Sequence, residues 1–183
     1  MELARRQFTI EEYLAMAETG ILREGERVEL IDGAVVAMSP FNDSHRLTLN
    51  RLTRLLTTQF PEPYVVQIQM TMALGTFDGP EPDAIVFRDH GDAYRRVADP
   101  ATVALVIEVA DSSLRYDRVI KAPLYARYGV AEYWIVNLVD DCVETFRDPR
   151  AGRYATARTF ASDDPIASTV VDPPLNPNAI IRR

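Results

Sequence analysis

Cysteine is almost absent from this chain of 183 residues, which has Cys142 and no second thiol. An intramolecular disulfide is therefore excluded, and so is a metal site of the Cys-x-x-Cys type. Small secreted scaffolds that depend on disulfides are excluded for the same reason, and we expect a cytoplasmic location, where thiols stay reduced.

Long apolar runs are also missing. The longest run has about eight residues, far fewer than a membrane-spanning helix needs, so we expect no membrane association. The N-terminal segment MELARRQFTIEEYL is charged throughout and has no apolar core, so we expect no signal peptide. With 47% apolar and 26% charged residues, the composition is typical of a globular protein.

Positive charge is scarce as well. The chain has 20 basic and 27 acidic residues, a formal net charge of −7, which argues against a generally basic nucleic-acid coat protein. Lys121 is the single lysine among the basic residues, and its compact ammonium is chemically unlike a guanidinium. Composition leaves open whether Lys121 has a chemical role or is an ordinary surface residue.

Local signals predict one α/β (α+β) domain over residues 1–183. Thr9 and Glu12 form a capping box in front of a helix over residues 10–18, and Asp32-Gly33 between two apolar runs predicts a β-hairpin. Further helices are predicted over residues 44–60 and 115–128, and strands over 64–74, 83–87, 102–110, 132–138, 142–147 and 152–160. Residues 88–100 are predicted to form a loop, and the proline-rich segment 165–183 to lie along the surface.

Three residues are candidates for chemistry. Glu108 is the only charge in a strand that is otherwise apolar on both faces, where a carboxylate is costly unless it is paired or binds a metal. Asp83 follows Pro82 at the start of the preceding strand, where an ordinary turn residue is the alternative. Lys121 lies on the helix that follows Glu108, although Asp117 four residues earlier offers it a simple surface ion pair.

Together these residues indicate a hydrolytic site. Carboxylates on neighbouring strands can hold a hard divalent cation through oxygen ligands. A nearby ammonium can stabilise negative charge that develops during hydrolysis of a phosphodiester. No Ser–His–Asp or Cys–His signature and no glycine-rich phosphate loop is present in the sequence.

A longer stretch of sequence resembles a known family. The segments EPDAIVF and VIEVADSSLRYDRVIKAPLYARYGVAEYWIVN, preceded by VELIDGAVVAMSP and a histidine, resemble the Uma-type putative restriction endonuclease family, a branch of the PD-(D/E)XK nucleases. The resemblance implies a restriction-endonuclease-like fold, with a mixed central sheet flanked by helices and an N-terminal hairpin.

The resemblance also implies roles for individual residues. Asp83 and Glu108 would bind Mg²⁺ or Mn²⁺ together with the backbone carbonyl of Val109, Glu29 would be an additional active-site acid, and Lys121 the catalytic lysine. The superfamily's usual lysine position, two residues after the glutamate, is an alanine here, so the lysine would come from the following helix. Because Pro123 is disfavoured inside a helix, that helix is expected to begin late or to bend.

The resulting prediction is a Mg²⁺-dependent endonuclease that cleaves nucleic acid, with DNA as the expected substrate. The alternative is a non-catalytic module that keeps the nuclease fold and acts in protein association, which the net charge of −7 favours. A homodimer would supply two sites for cleavage of a duplex, although nothing in the sequence requires it. His45 could contact a phosphate, line the cleft or be an ordinary structural residue. Arg46, Arg51 and Arg54 of the second predicted helix could face a nucleic-acid backbone or form a solvated helix face.

Overall fold

The N-terminal elements form where the sequence predicts them. The computed structural model describes residues 5–89 and 100–181. Helix α1 (Ile10–Glu18) begins after the predicted capping box at Thr9. Strands β1 (Val28–Ile31) and β2 (Ala34–Ala37) pair as an antiparallel hairpin. Its turn residues Asp32 and Gly33 have φ values of 50° and 71°, the left-handed backbone that a two-residue hairpin turn requires.

The main sheet is mixed, as the sequence predicts. Its six strands are β3 (Tyr64–Ile68), β4 (Ala84–Arg88), β5 (Val103–Ala110), β6 (Glu132–Asn137), β7 (Cys142–Arg150) and β8 (Arg153–Ala161), in that spatial order. Strands β5 and β6 are parallel and every other neighbouring pair is antiparallel. The parallel pair needs a crossover connection, which is the helical segment between residues 110 and 132.

Helices cover both faces of this sheet. Helix α2 (Asp43–Gln59) and the short α5 (Pro177–Ile180) pack on one face, and α4 (Ala122–Arg127) contributes Leu124 and Tyr125 to the core on the other. In the central strand β5, Ile107 belongs to the core on the α2 side of the sheet and Val106 to the core on the α4 side. The predicted strand that is buried on both faces is therefore confirmed. No helix among the described residues has both the length and the apolar character needed to cross a bilayer.

The strand predicted over residues 64–74 is shorter in the structure. Strand β3 ends at Ile68, because Gln69 has a φ of 52° and leaves the extended conformation. Met72 and Leu74 are nevertheless fully buried, in the core on the α4 side of the sheet. The alternation of apolar and polar residues over 64–74 thus predicts the burial of Met72 and Leu74 correctly. It does not predict the strand length or a single apolar face, since Val66 and Ile68 pack against the core beneath α2. Most of the loop predicted over residues 88–100 lies outside the described residues.

The helix predicted over residues 115–128 has three parts. Helix α3 (Leu114–Tyr116) is followed by a π-helical turn (Asp117–Lys121) and then by α4. The N–H of Ala122 bonds to the carbonyl of Asp117, five residues earlier. A wider turn accommodates Pro123, which has no N–H and would collide with a carbonyl in a regular α-helix. The predicted bend is therefore a π turn, and Lys121 is its last residue.

The proline-rich segment 165–183 differs from its predicted place along the surface. Ile166 and Ile180 are fully buried, and Val171, Leu175 and Ile181 are nearly so. All five belong to the core beneath α2. Apolar side chains between the prolines are buried because they complete this core, so the described part of the segment is integral to the fold.

Candidate active site

Four chain segments bring the sequence-predicted residues into one pocket. Glu29 lies on β1, Asp83 directly precedes β4, Glu108 lies on β5, and Lys121 ends the π turn. All four are buried, at 2–5% exposure, and all four line a cavity of about 270 Å³. Val109, the predicted backbone ligand, lines the same cavity.

The register of the sheet places Asp83 beside Glu108 on the neighbouring strand. Ala84 pairs with Ile107 in the antiparallel β4–β5 ladder, so the residue before Ala84 is brought beside the residue after Ile107. The N–H of Val109 donates to Oδ2 of Asp83 over 2.8 Å. Asp83 is thereby fixed to the backbone of the neighbouring strand.

His45 holds the other oxygen of Asp83. Its Nε2 lies 3.0 Å from Oδ1, and the side chain is buried at the wall of the cavity. Sequence left open whether this histidine lines a cleft or is structural, and the structure shows that it lines the cavity and contacts Asp83. The residue was recognisable as polar at the start of an amphipathic helix, but nothing local identified its partner.

Lys121 points into the cavity. Its Nζ lies 2.8 Å from Oε1 of Glu108 and 3.1 Å from Oε2 of Glu29. Asp117, which the sequence allowed as a surface partner of Lys121, is itself buried and accepts a hydrogen bond from the hydroxyl of Ser113 over 2.7 Å. The lone lysine is therefore a pocket residue bridging two acids from different elements.

Charges in this pocket shift one another's pKa values. Burial acts to lower the pKa of Lys121, but Glu108, Glu29 and Asp117 outweigh it, so the ammonium pKa lies above its ordinary value. Burial raises the pKa of Glu108, Asp117 and Asp83 add to this effect, and Lys121 opposes it. Burial also raises the pKa of Asp117 to about 6. Lys121 thus stays protonated, while Glu108 and Asp117 bind protons more readily than usual.

The hairpin that supplies Glu29 is fixed to the rest of the fold. Asp78 accepts from the N–H of Asp32 over 2.7 Å and from the hydroxyl of Tyr128 over 2.9 Å. Glu29 itself accepts from the N–H of Glu81 over 3.2 Å. Because these bonds join the hairpin to α4 and to the loop before β4, the Glu29 carboxylate is held in place beside Lys121.

Tyr125 was not identified from the sequence. Its hydroxyl donates to Oε1 of Glu108 over 2.9 Å, and the ring is fully buried. Tyr125 follows Lys121 by four residues, the spacing that places side chains on one helix face. That spacing is a usable signal, but an aromatic residue on such a face is more often part of a core.

The arginines of α2 lie away from the cavity. Arg46 pairs with Asp43 at the surface, and Arg54 is exposed. Neither these residues nor Arg51 is among those that line the cavity. Of the two interpretations that the sequence allowed, a helix face outside the site agrees better with this arrangement.

The chemistry of the pocket suits a hard divalent cation. Among the residues that the structure describes, no three His, Cys, Asp or Glu side chains cluster as a ready metal site. The cavity wall, however, contains five carboxylates against one lysine and one arginine: Glu29, Asp83, Glu108, Asp111 and Asp117 against Lys121 and Arg27. Mg²⁺ is usually held by one or two carboxylates and keeps several waters, so Asp83, Glu108 and the Val109 carbonyl are a fitting donor set.

Comparisons with known proteins agree with this architecture. The family model Uma2, described as a putative restriction endonuclease, matches residues 10–173. No curated protein matches the chain significantly. Among solved structures, a putative nuclease belonging to DUF820 from Anabaena variabilis ATCC 29413 is similar, with 14% sequence identity and a TM-score of 0.72 over 95% of this chain and 97% of that one. At that identity the likeness shows the fold alone. Because the family model spans most of the sequence, the chain belongs to the Uma2 family of putative restriction endonucleases.

Proposed function

We propose that this chain is a metal-dependent endonuclease that hydrolyses phosphodiester bonds of nucleic acid, with DNA as the expected substrate. The observation that carries the proposal is the position of Lys121, whose ammonium lies 2.8 Å from Glu108 in the pocket that Asp83 also lines. A cation buried among carboxylates from three other segments is expensive to maintain for stability alone. Membership of a family described as putative restriction endonucleases supports the same chemistry.

Asp83 and Glu108, with the carbonyl of Val109, would hold Mg²⁺ or Mn²⁺. When bound, such an ion polarises a phosphoryl oxygen and makes a water a better nucleophile. His45 and the N–H of Val109 hold the two oxygens of Asp83, and Tyr125 holds Glu108. These bonds keep both carboxylates oriented before a ligand arrives.

Lys121 has the central role among the chain's own groups. Its ammonium would donate hydrogen bonds to the attacking water and to the oxygens that gain negative charge in the pentavalent transition state. Glu29 lies 3.1 Å from Nζ, so it would position the lysine and keep it protonated. The raised pKa of Lys121 suits an electrostatic role and not that of a general base.

A second candidate function is favoured by the net charge of −7. A nuclease fold that acts in protein association, without catalysis, needs no attraction to a polyanion. A homodimer and a cytoplasmic location stay predictions under either function.

Cleavage and metal binding, measured on the same variants, test the proposal. Wild-type protein with Mg²⁺ or Mn²⁺ is expected to cleave circular single-stranded and supercoiled DNA, and EDTA to stop the reaction. Asp83→Asn and Glu108→Gln are each expected to reduce cleavage by about 100-fold or more and to abolish the calorimetric signal of Mn²⁺ binding. Glu24→Gln, an exposed acid outside the cavity, is the matched control and should behave as wild type.

The association module makes the opposite prediction. Folded wild-type protein that binds no Mn²⁺ in the calorimeter and leaves both DNA forms intact would contradict the nuclease proposal. Thermal unfolding of each variant checks that lost activity does not reflect lost structure.

A further inference from the structure

The reacting groups of the proposed nuclease lie deep in the molecule. The side chains of Glu29, Lys121, Glu108 and Asp83 are 2%, 3%, 5% and 7% exposed. The cavity that reaches them has a volume of about 270 Å³, at the small end for ligand pockets. The phosphates of an intact duplex lie along a stiff rod, whereas an unpaired strand can send one nucleotide into a recess of this size.

Hydrogen bonds hold one wall of the cavity in place. Met38 and Phe41, in the segment between β2 and α2, line the cavity. The side chain of Asn42 donates to the carboxylate of Asp111, which follows β5, and accepts from the N–H of His45 over 2.8 Å. These bonds join the segment to the sheet and to α2, so this side of the site is a built wall and not an open groove.

A cation and an aromatic ring are stacked in that wall. The guanidinium carbon of Arg27 lies 3.4 Å from the centroid of the Phe41 ring, and Arg27 also donates to the carbonyl of Ser39. The His45 ring lies 4.3 Å from the Phe41 ring, centroid to centroid. We call the first two residues the Arg27–Phe41 platform. Among the described residues that line the cavity, Arg27 is the one guanidinium.

We propose that the cavity takes an unpaired nucleotide of a single strand, with its base stacked against the Arg27–Phe41 platform and its phosphate directed to Lys121. The inference rests on the proposed nuclease function and names its substrate class. Stacking of bases on aromatic rings and on guanidinium planes is the usual way in which proteins bind single strands.

Charge agrees with this choice of substrate. Duplex binding normally uses many basic side chains along the phosphate backbone. Here the net charge is −7, and the arginines of α2 do not line the cavity. One stacked nucleotide needs far fewer cations than a bound duplex, and Arg27 and Lys121 supply two of them.

Binding assays test the inference separately from cleavage. Fluorescence anisotropy would follow a labelled oligonucleotide, as a single strand or annealed to its complement, in Ca²⁺ buffer. Wild-type protein is expected to bind the single strand at least tenfold more tightly. Arg27→Lys keeps the positive charge but removes the planar guanidinium on which a base can stack. We expect this variant to bind the single strand about tenfold more weakly, and we expect the same of Phe41→Ala.

The chain offers a matched control for the platform. Arg6 lies 5.0 Å from the ring of Phe8 in a second arginine–aromatic pair, outside the cavity. Arg6→Lys is expected to leave binding unchanged.

Three results would overturn the inference: equal affinity for duplex and single strand, no measurable binding of either, or full affinity in Arg27→Lys. If the wild-type protein cleaves duplex DNA and Arg27→Lys binds the single strand with full affinity, the nucleotide site is refuted while the nuclease function stands. Preferential single-strand binding that depends on Arg27, without metal-dependent cleavage, would keep the nucleotide site and remove the nuclease.

Discussion

The ammonium of Lys121 lies 2.8 Å from Oε1 of Glu108, although the lysine ends a π turn and the acid lies on the central strand. Pro123 follows two residues later and prevents a regular α-helical turn at this point. π-Helical turns are frequent at functional sites, where the extra residue changes the direction of a side chain. Pro123, which disfavours a regular helix, thus lies just after the π turn that directs Lys121 towards the sheet.

Replacement of Lys121 should lower the rate of cleavage far more than replacement of Arg118, on the same π turn. Lys121→Met keeps the apolar stem and removes the charge, so we expect kcat to fall about 10²–10³-fold. Lys121→Arg should restore little, because a planar guanidinium does not fit the place of a compact ammonium. Arg118→Met, on the same π turn but paired with Glu144 over 2.8 Å, is the control for local structure. Steady-state kinetics on folded protein is the measurement, and an active Lys121→Met variant would refute the role of the lysine.

Asp117 should make stability depend on pH. Its folded pKa of about 6 lies above the ordinary aspartate value of 3.8. The folded state therefore binds this proton more tightly, and ionisation of Asp117 lowers stability as pH rises between these values. Asp117→Asn removes the free-energy cost of ionising this buried acid. The stability of the variant relative to wild type should therefore increase from pH 4 to pH 7, by up to about 3 kcal/mol. Urea unfolding in EDTA measures the difference.

The matched control for this pH dependence is Asp164→Asn, at an exposed position. It removes one carboxylate from the surface and so shows the effect of a lost surface charge. An Asp117→Asn difference from wild type that does not change between pH 4 and pH 7 would contradict the prediction for the buried acid.

Two buried tyrosines should differ in their effect on metal binding. The rings of Tyr125 and Tyr133 lie 5.0 Å apart, but only Tyr125 donates to Glu108, over 2.9 Å. The hydroxyl of Tyr133 lies 3.5 Å from the carbonyl of Asp117, at the limit for a hydrogen bond. Tyr125→Phe should weaken Mn²⁺ binding about tenfold, whereas Tyr133→Phe should leave it nearly unchanged. Equal losses in both variants, measured by calorimetry, would argue against an orienting role for Tyr125.

Glu132 should hold the C-terminal segment to the sheet. This fully buried carboxylate accepts from the indole N–H of Trp134 over 2.7 Å, and from the N–H and hydroxyl of Thr169 over 3.0 and 2.8 Å. Glu132→Ala leaves the buried indole N–H without its partner, so we expect a loss of about 3 kcal/mol and faster proteolysis beyond residue 165. Thr169→Val removes a single bond and should cost about 1 kcal/mol. Unchanged proteolysis of Glu132→Ala would show that Glu132 is not needed to hold the segment.

Local elements of the fold were predictable from the sequence because their signals are local. The capping box at Thr9, the Asp32-Gly33 turn and the apolar run around Glu108 each specify their own backbone. The four candidate site residues, whose roles stay predictions, could be singled out too, since Glu108 is conspicuous on an apolar strand and Lys121 is the single lysine. The family resemblance connected them to Asp83 and Glu29.

Partners of these residues were decided by tertiary structure. Asp117 and Glu108 were both available to Lys121, and only the burial of the π turn against the sheet places the ammonium between Glu108 and Glu29. The contact between His45 and Asp83 likewise joins elements 38 residues apart. No local pattern encodes such contacts, because they depend on how α2, β4 and the π turn pack together.

The same distinction holds for the ends of elements and for the core. Alternation in the sequence indicated that Met72 and Leu74 are buried, but a positive φ at Gln69 decided where β3 ends. The proline content of the C-terminal segment determined that it is irregular, whereas the core beneath α2 decided that Ile166 and Ile180 are buried. Sequence by itself specifies backbone preference and polarity residue by residue, and the free energy of filling a shared core selects which of those residues meet.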